Sequence, residues 1–520
     1  MRRRTKKQKQ AIIENISADH DVALSSDLDE NIDIIKEMLG HSSDLITRKF
    51  VIGAREPIQS AIFYINGLIN EASVQHDLLH ELVVESREAE QTYKANCFDT
   101  IKKHLVSIGN VNELHTIAEL FHVLLSGDSI IILDGQRVAL AIGTRGGEGR
   151  GVETVTSQEV VRGPKEAFTE RISTNIALIR RRIKDPNLWM KSYCIGEKTQ
   201  TDVTIGYLNG VVNDKLVEEL DRRLKRIKID AILESGYIEE LIQDKTYTPF
   251  PTVYNTERPD AIAGGLLEGK IAIFVDGTPF VLLIPCLFEH FLQSSEDYYQ
   301  RTDIATLLRL LRMLAFLLAL LTPSLYIALT NFHQEMIPTT LLISLAAQRE
   351  GIPFPAFIEA LLMELTFELL REAGIRLPSA VGSAISIVGA LVLGQAAVEA
   401  GIVSAMMVIV VSLTAISSFV FPAYNLAITV RILRFGFMML AASLGLYGIF
   451  TGIIILVLHM TSLRSFGIPY LSPLAPFNLT GQKDIFIRAP LWKEMTRPHL
   501  ISQKNIVRSD SKPPKPPKED

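Results

Sequence analysis

The chain is poor in the residues that would mark a stapled, secreted or metal-built protein. Its 520 residues include three cysteines, Cys97, Cys194 and Cys286. They lie far apart, in an odd number and in no ligand spacing, which excludes a disulfide scaffold and a cysteine zinc site as organising principles. An excess of positive charge is also missing. The formal net charge is −5, whereas a bulk nucleic-acid binder would be basic. No apolar run follows the basic opening MRRRTKKQKQ, so no secretory signal is expected and the start of the chain should stay in the cytoplasm. Two segments of catalytic appearance lack their working residues. HDLLH (76–80) has Asp77 where a zinc protease needs its general base, and no third ligand is evident. GTRGGEGRG (143–151) lacks the Lys-Ser/Thr of a phosphate-binding loop and reads as a mobile hairpin exit. Neither an enzyme nor a bound metal or cofactor is expected.

Apolar residues, by contrast, are plentiful. They make up 48% of the chain beside an ordinary 21% of charged residues, and the mean hydropathy is +0.22. One uniform composition does not easily give both, so the apolar residues should be concentrated in part of the chain. Residues 1 to about 300 have soluble character, and the change comes between about 305 and 460. Met313–Thr330, Ser379–Val398, Ile402–Phe421 and Phe435–Leu458 are uncharged, or nearly so, over about the length a helix needs to cross a bilayer. Four spans are the base count. The stretch 353–378 has helical periodicity but carries Glu359, Glu364, Glu368 and Glu372. As a re-entrant piece it leaves both chain ends inside. The tail then fits the positive-inside rule through Arg464, Lys483, Arg488 and Lys493, but Arg431 and Arg434 fall outside. As a fifth crossing it puts the tail outside. The count stays open at four to six. Arg309 and Arg312, ahead of the first span, read as cytoplasmic anchors.

The soluble half carries an internal repeat. LLSGDSIIILDGQRVALAIG (124–143) aligns without gaps on LLEGKIAIFVDGTPFVLLIP (266–285), and FYINGLINEASV (63–74) on GYLNGVVNDKLV (206–217). Each copy reads as a strand, an Asn-Gly turn, a helix and later two strands flanking Asp-Gly. That dipeptide supplies the positive φ of a two-residue hairpin turn. Between the copies, Pro164 suits the first position of a helix. Phe168, Ile172, Ile176 and Ile179 follow at helical spacing, and Arg180, Arg181 and Arg182 close it at the end where positive charge favours the dipole. The plain reading is a helix locking the two copies together; the sharper one is a contact surface for a partner or membrane.

The expected fold class is therefore an α/β soluble N-terminal region of two tandem related subdomains, followed by an all-α multi-span membrane domain. The expected boundaries are a basic, partly disordered 1–50, a first subdomain at 51–160, a connecting helix at 161–195 and a second subdomain at 196–300. The membrane domain follows at 301–460, and the cytoplasmic tail at 461–520, disordered after about 500.

Acidic residues in apolar stretches are costly and mark a pathway by default. Glu364, Glu368 and Glu372 share a helix face, and copies around an oligomer axis would stack carboxylate rings that favour cations. The alternative is an interfacial helix with Glu368 paired to Arg371 and Glu372 to Arg376. Glu364 has no base within reach on its own helix and is the best single candidate. Gln395 and Glu399 form a second polar pair, facing either a cavity or the interface. Gly382, Ser386, Ala390 and Gly394 recur every four residues, a pattern that lets helices approach closely in lipid.

Several long segments resemble one family. RGPKEAFTERISTNIALIRRRIKDP (162–186), PFPTVYNTERPD (249–260), LLEGKIAIFVDGTPFVLLIP (266–285), EDYYQR (296–301) and DIFIRAPLWKEMTRP (484–498) resemble signature segments of the A subunits of GerA-family spore germinant receptors. In the first of these, the residues that carry the resemblance are Arg162, Gly163, Pro164, Lys165, Glu166, Phe168, Glu170, Arg171, Asn175, Arg180, Arg181 and Arg182. The resemblance implies a subunit of a receptor in the inner membrane of a bacterial endospore, with a cytoplasmic N-terminal domain. It also implies a transporter-like B subunit and a lipoprotein C subunit as partners, with no nucleic acid. The A subunits would form a homo-oligomer in membrane lipid, a nutrient-gated channel for cations. A secondary transporter is disfavoured because the clear repeat lies outside the membrane half. A non-conducting signalling or scaffold subunit is the other rival.

Overall fold

The computed structural model describes residues 22–52, 57–74, 78, 82, 110–146, 155–156, 158–376, 394–477, 481–498, 500–502, 504–509 and 511–513. Two α/β units come first. In the first, helix α1 (Leu28–Met38) precedes strands β1 (Leu45–Ile52), β2 (Ile58–Ile65) and β3 (Val111–Leu114). Helix α2 (Ile117–Leu124) then leads to β4 (Ser129–Leu133) and β5 (Ala139–Ile142). The second unit runs α3 (Ile172–Arg182), β6 (Leu188–Ile195), β7 (Thr201–Leu208), α4 (Asp214–Arg226) and α5 (Ser235–Ile242). It continues through β8 (Tyr254–Thr256), α6 (Pro259–Leu267), β9 (Ile271–Val275) and β10 (Val281–Ile284). Both sheets are antiparallel with the same order, β1-β2-β4-β5-β3 and β6-β7-β9-β10-β8. The central strands β4, β5, β9 and β10 are buried on both faces, which is why they read as continuous apolar runs rather than alternating ones.

The duplication extends to the details that hold each opening helix. Asp134 Oδ1 accepts from the Leu28 N–H at 3.3 Å, and Asp276 Oδ1 from the Ile172 N–H at 3.1 Å. The next glycine donates back to the segment before the helix, Gly135 N–H to Ser26 O and Gly277 N–H to Glu170 O. Asn31 clamps Ser25 through both ends of its amide, and Asn175 clamps Thr169 in the same way. The Asp-Gly shared by the two copies is thus a helix cap supplied from a neighbouring loop. It is not the two-residue turn expected, because residues 134–138 and 276–280 separate the strands.

This changes the expected boundaries. The segment assigned as a connector holds the first elements of the second unit: α3 packs on its sheet beside α6, and β6 is its edge strand. Pro164 does not start a helix. Residues 162–171 form no helix because the second unit binds their backbone. Pro164 O accepts from Arg258 Nη2 at 3.2 Å, and the Phe168 N–H donates to Glu257 O at 2.8 Å. The Phe168 ring sits edge-on to Phe274. Likewise β1 runs through the boundary expected at 50, and α1 belongs to the first core.

A helical bundle follows. Among the described residues it comprises α7 (Thr302–Asn331), α8 (Thr339–Arg349), α9 (Ala356–Arg376), α10 (Gly394–Glu399), α11 (Ala405–Ser418) and α12 (Tyr424–Ser462). Helices α7 and α12 are long and apolar enough to cross a membrane. Leu314, Leu317, Ile432, Met439, Phe450 and Ile454 point outward from them. The span expected at 402–421 is a shorter helix, started by a Ser404 cap and finished ahead of Pro422. Most of the span expected at 379–398 lies outside the described residues, with Gly382, Ser386 and Ala390; so do both histidines of HDLLH and residues 147–151 of the glycine-rich segment.

The last expected span is not one helix. Gly445 has φ 63° and ψ −140° inside α12. A methyl placed on Gly452 would meet the Phe437 ring at 2.8 Å, and one on Gly448 would meet Leu440 O. In a continuous helix at 1.5 Å per residue those partners would be about 22 and 12 Å away. The chain therefore reverses at Gly445 into two antiparallel halves. The small residues at 448 and 452 are what let the halves approach.

After β11 (Arg464–Ser465) and β12 (Ile468–Pro469) the tail packs back on the second unit. Ile501 and Ser502 are fully buried, and Ser502 Oγ donates to Val211 O, so order continues past the expected limit near 500.

Candidate functional site

Two sets of buried charges lie in and beside the bundle. The first runs along α9. Arg434 of α12 donates from Nη1 to Glu364 Oε2 at 2.5 Å and from Nε to the Ala319 carbonyl of α7 at 2.8 Å. Both side chains of this pair are 1% exposed. Towards the α/β units, Glu368 receives Arg431 at 2.8 Å and Arg371 at 3.4 Å, and Arg371 also reaches Ser418 Oγ. At the other end Glu359 accepts the Ser404 N–H that begins α11 and lies 3.5 Å from Arg349. Helix α9 thus carries carboxylates at three levels, and each level has an arginine. Glu364 Oε1 and Arg434 Nη2 find no hydrogen-bond partner among the described residues.

Glu364 is therefore turned into the chain's own core, towards a base 70 residues further on, and not towards an open face. Glu372 pairs with Arg376 on the surface, and Gln395 donates to Glu399 in an exposed i,i+4 pair. Gly394, the one described member of its stripe, is buried. The arginine partners escaped sequence reasoning. Their signal was present, because Arg431 and Arg434, three apart in an apolar helix, match Glu364 and Glu368, four apart in another.

The second set ties the bundle to the α/β region. Arg309 bridges Asp297 at 3.1 Å and Asp484 of the tail at 2.8 Å, and Arg312 joins Asp297 at 2.7 Å. Tyr298 donates its hydroxyl to Asp484, and Arg488 reaches back to Thr302 and the Tyr298 carbonyl. Both arginines of α7, expected as anchors ahead of the first span, are buried and ion-paired. Their chemistry is that of a clasp joining α7, the tail and the second unit. Nearby, burial raises the Glu289 carboxyl to about 8 and Glu494 to about 7, and it lowers His290, beside Lys270, to about 3.

The signature residues divide between structural tasks. Arg180 makes a bidentate, fully buried pair with Asp44 of the first unit, at 2.7 and 3.1 Å. Arg181 donates to Gly146 O, and Arg182 pairs with Glu166. The Arg162 N–H is held by Glu296, and Gly163, at φ 144°, lies against the Tyr299 ring. Lys165 and Arg171 are exposed.

A duplicated antiparallel α/β region, followed by a helical bundle with an ion-paired interior and two helices long and apolar enough to cross a membrane, is the architecture of the chain. The family model for Bacillus/Clostridium GerA spore germination proteins matches residues 33–500. The chain belongs to the GerA family. Spore germination protein KA of Bacillus subtilis (strain 168) is 50% identical over 487 residues, 94% of this chain and 89% of that one. The Uncharacterized membrane protein YfkQ of the same strain is 44% identical over 505 residues, 96% and 97% of the two chains. Among solved structures, the N-terminal domain of the A subunit of the Bacillus megaterium spore germinant receptor GerK3 is 46% identical. It covers 52% of this chain and 98% of its own, with a TM-score of 0.42.

Proposed function

We propose that the chain is the A subunit of a germinant receptor in the spore inner membrane, and that copies of it assemble into a nutrient-gated cation path. The α/β units and tail lie on the cytoplasmic side, and transporter-like B and lipoprotein C subunits are its partners. The observation that carries this reading is the charge ladder of α9. Buried ion pairs contribute little to net stability, and apolar residues of similar size would often serve the fold as well or better. Carboxylates at three depths of an apolar bundle therefore ask for a further role. Passage of cations through a hydrated path is the role their sign suits. In the resting chain the arginines neutralise the ladder, and opening separates α9 from α12. Helix direction supports the placement. Phe332 and His333, at the end of α7, meet Gly445, while Thr302 is held by Arg488 of the tail and the end of α12 meets the second unit through His459 and Thr248.

Cation flux into liposomes holding the purified chain tests the proposal. Flux is expected from copies able to open, and Glu364→Gln should alter its rate or its cation preference. A well-folded chain that assembles but passes no cations, with or without its partners, refutes conduction and favours the non-conducting subunit.

A further inference from the structure

The end of α12 borders a feature that germination signalling leaves unused. Outward apolar side chains on the returning half of α12 continue as far as Val457 and Leu458, the latter 64% exposed. One residue later, His459 Nε2 lies 2.9 Å from Thr248 Oγ1 of the second unit. The surface suited to lipid thus ends where the α/β unit begins. At this level an open concavity of about 1060 Å³ lies between the C-terminal half of α4, the residues after α5 and those following α12.

Its carboxylates are already occupied. Asp221 holds Lys191 and Lys225, Glu219 holds Arg222 and Arg223, and Asp244 holds Arg223 as well. Arg226, Lys245 and Arg464 remain, exposed and without a carboxylate partner among the described residues. They come from α4, from the loop after α5 and from β11, so no single helix face explains their convergence. Tyr247, two residues from Lys245, is 93% exposed. An amphipathic ring in that position suits the headgroup layer of a bilayer.

Exposed cations are ordinary on a soluble surface, and what distinguishes these three is their depth. They sit level with the end of a lipid-suited helix, where the headgroups of a cytoplasmic leaflet are negative. We propose that this concavity binds the phosphate-bearing headgroups of anionic phospholipids in the leaflet next to the α/β units. The proposal rests on α12 lying in a bilayer, and it adds a lipid requirement on the cytoplasmic side. Each cation near such a surface strengthens binding about fivefold. Removing three should weaken it by roughly a hundredfold.

The test uses the full chain in mild detergent, titrated with phosphatidylglycerol or phosphatidylcholine, with bound lipids counted by native mass spectrometry. Phosphatidylglycerol should be retained and phosphatidylcholine not. Retention should fall about a hundredfold in the triple variant Arg226→Gln/Lys245→Gln/Arg464→Gln, with its melting temperature unchanged. Arg226→Lys/Arg464→Lys, which keeps the charge, should retain the lipid. Equal retention of the two lipids, or an unaffected triple variant, overturns the site. Displacement by soluble glycerol phosphate at matching concentration overturns the lipid source and assigns a free phosphate compound instead. A chain that does not enter lipid nanodiscs at all overturns the bilayer reading as well, which keeps the two failures distinct.

Discussion

The Arg434–Glu364 pair permits a quantitative test of what holds α9 against the rest of the bundle. Both side chains are buried, and Arg434 also spans to the Ala319 carbonyl, so one guanidinium ties α12, α9 and α7 together. Removing one partner strands the other charge in an apolar interior, at a cost of about 3–5 kcal/mol. Arg434→Met and Glu364→Leu should each destabilise the full chain by about that amount, read from unfolding in detergent. The double variant should recover most of the loss, because no charge is left behind and apolar replacement of a buried pair is close to neutral. The coupling between the sites should therefore exceed about 2 kcal/mol in a double-mutant cycle. If the two single losses simply add, the pair does not hold the helices as the geometry requires. Losses below about 1 kcal/mol would mean that the charges lie in water, and the clamp would be wrong.

Three further tests address other parts of the molecule. Arg180→Met leaves Asp44 buried and unpaired, and should cost about 3–5 kcal/mol; limited proteolysis should then cut between the two α/β units, and unchanged resistance would refute this role. Gly445→Ala forces a side chain into φ 63° beside Phe332 and His333, at about 1–3 kcal/mol or more; a variant that melts like the wild type would show that the reversal is not where α12 turns. Because Glu494 is raised to about 7 from an ordinary value near 4.5, the folded state holds its proton more tightly than the unfolded one. Its stabilising effect is complete below about pH 4.5 and is lost as pH rises through about 7. Protease protection of the tail should fall between pH 5 and 8, and Glu494→Gln should flatten that fall; a slope unchanged in the variant would point to another group.

How much of this was legible in the sequence depended on the range of each interaction. The repeat could be found because Asn-Gly and Asp-Gly hold backbone positions that glycine alone tolerates well, and Gly67, Gly210, Gly135 and Gly277 all have positive φ. The start of α3 was misplaced because Pro164 and the isoleucines after it satisfy every local rule for a helix. The contacts that override them come from Arg258 and Glu257, about 90 residues away. Arg434 lies 70 residues from Glu364, and Asp484 lies 175 residues from Arg309, so neither pair shows in the periodicity of a single helix. The reversal at Gly445 had no local mark, since glycine is common in membrane helices and the residues on both sides are uniformly apolar.

The second α/β unit grips the bundle at two separated points of the chain. Asp297 and Tyr298 hold the root of α7, while Phe250 and Phe288 pack against Tyr470 just beyond α12. The first unit touches this assembly through the second, by way of Arg180 and the edge of β6. A twist of the second unit is therefore delivered as torque to the entry and exit helices at once. The first unit, joined to the second through the buried Arg180–Asp44 pair, is the lever arm of that movement.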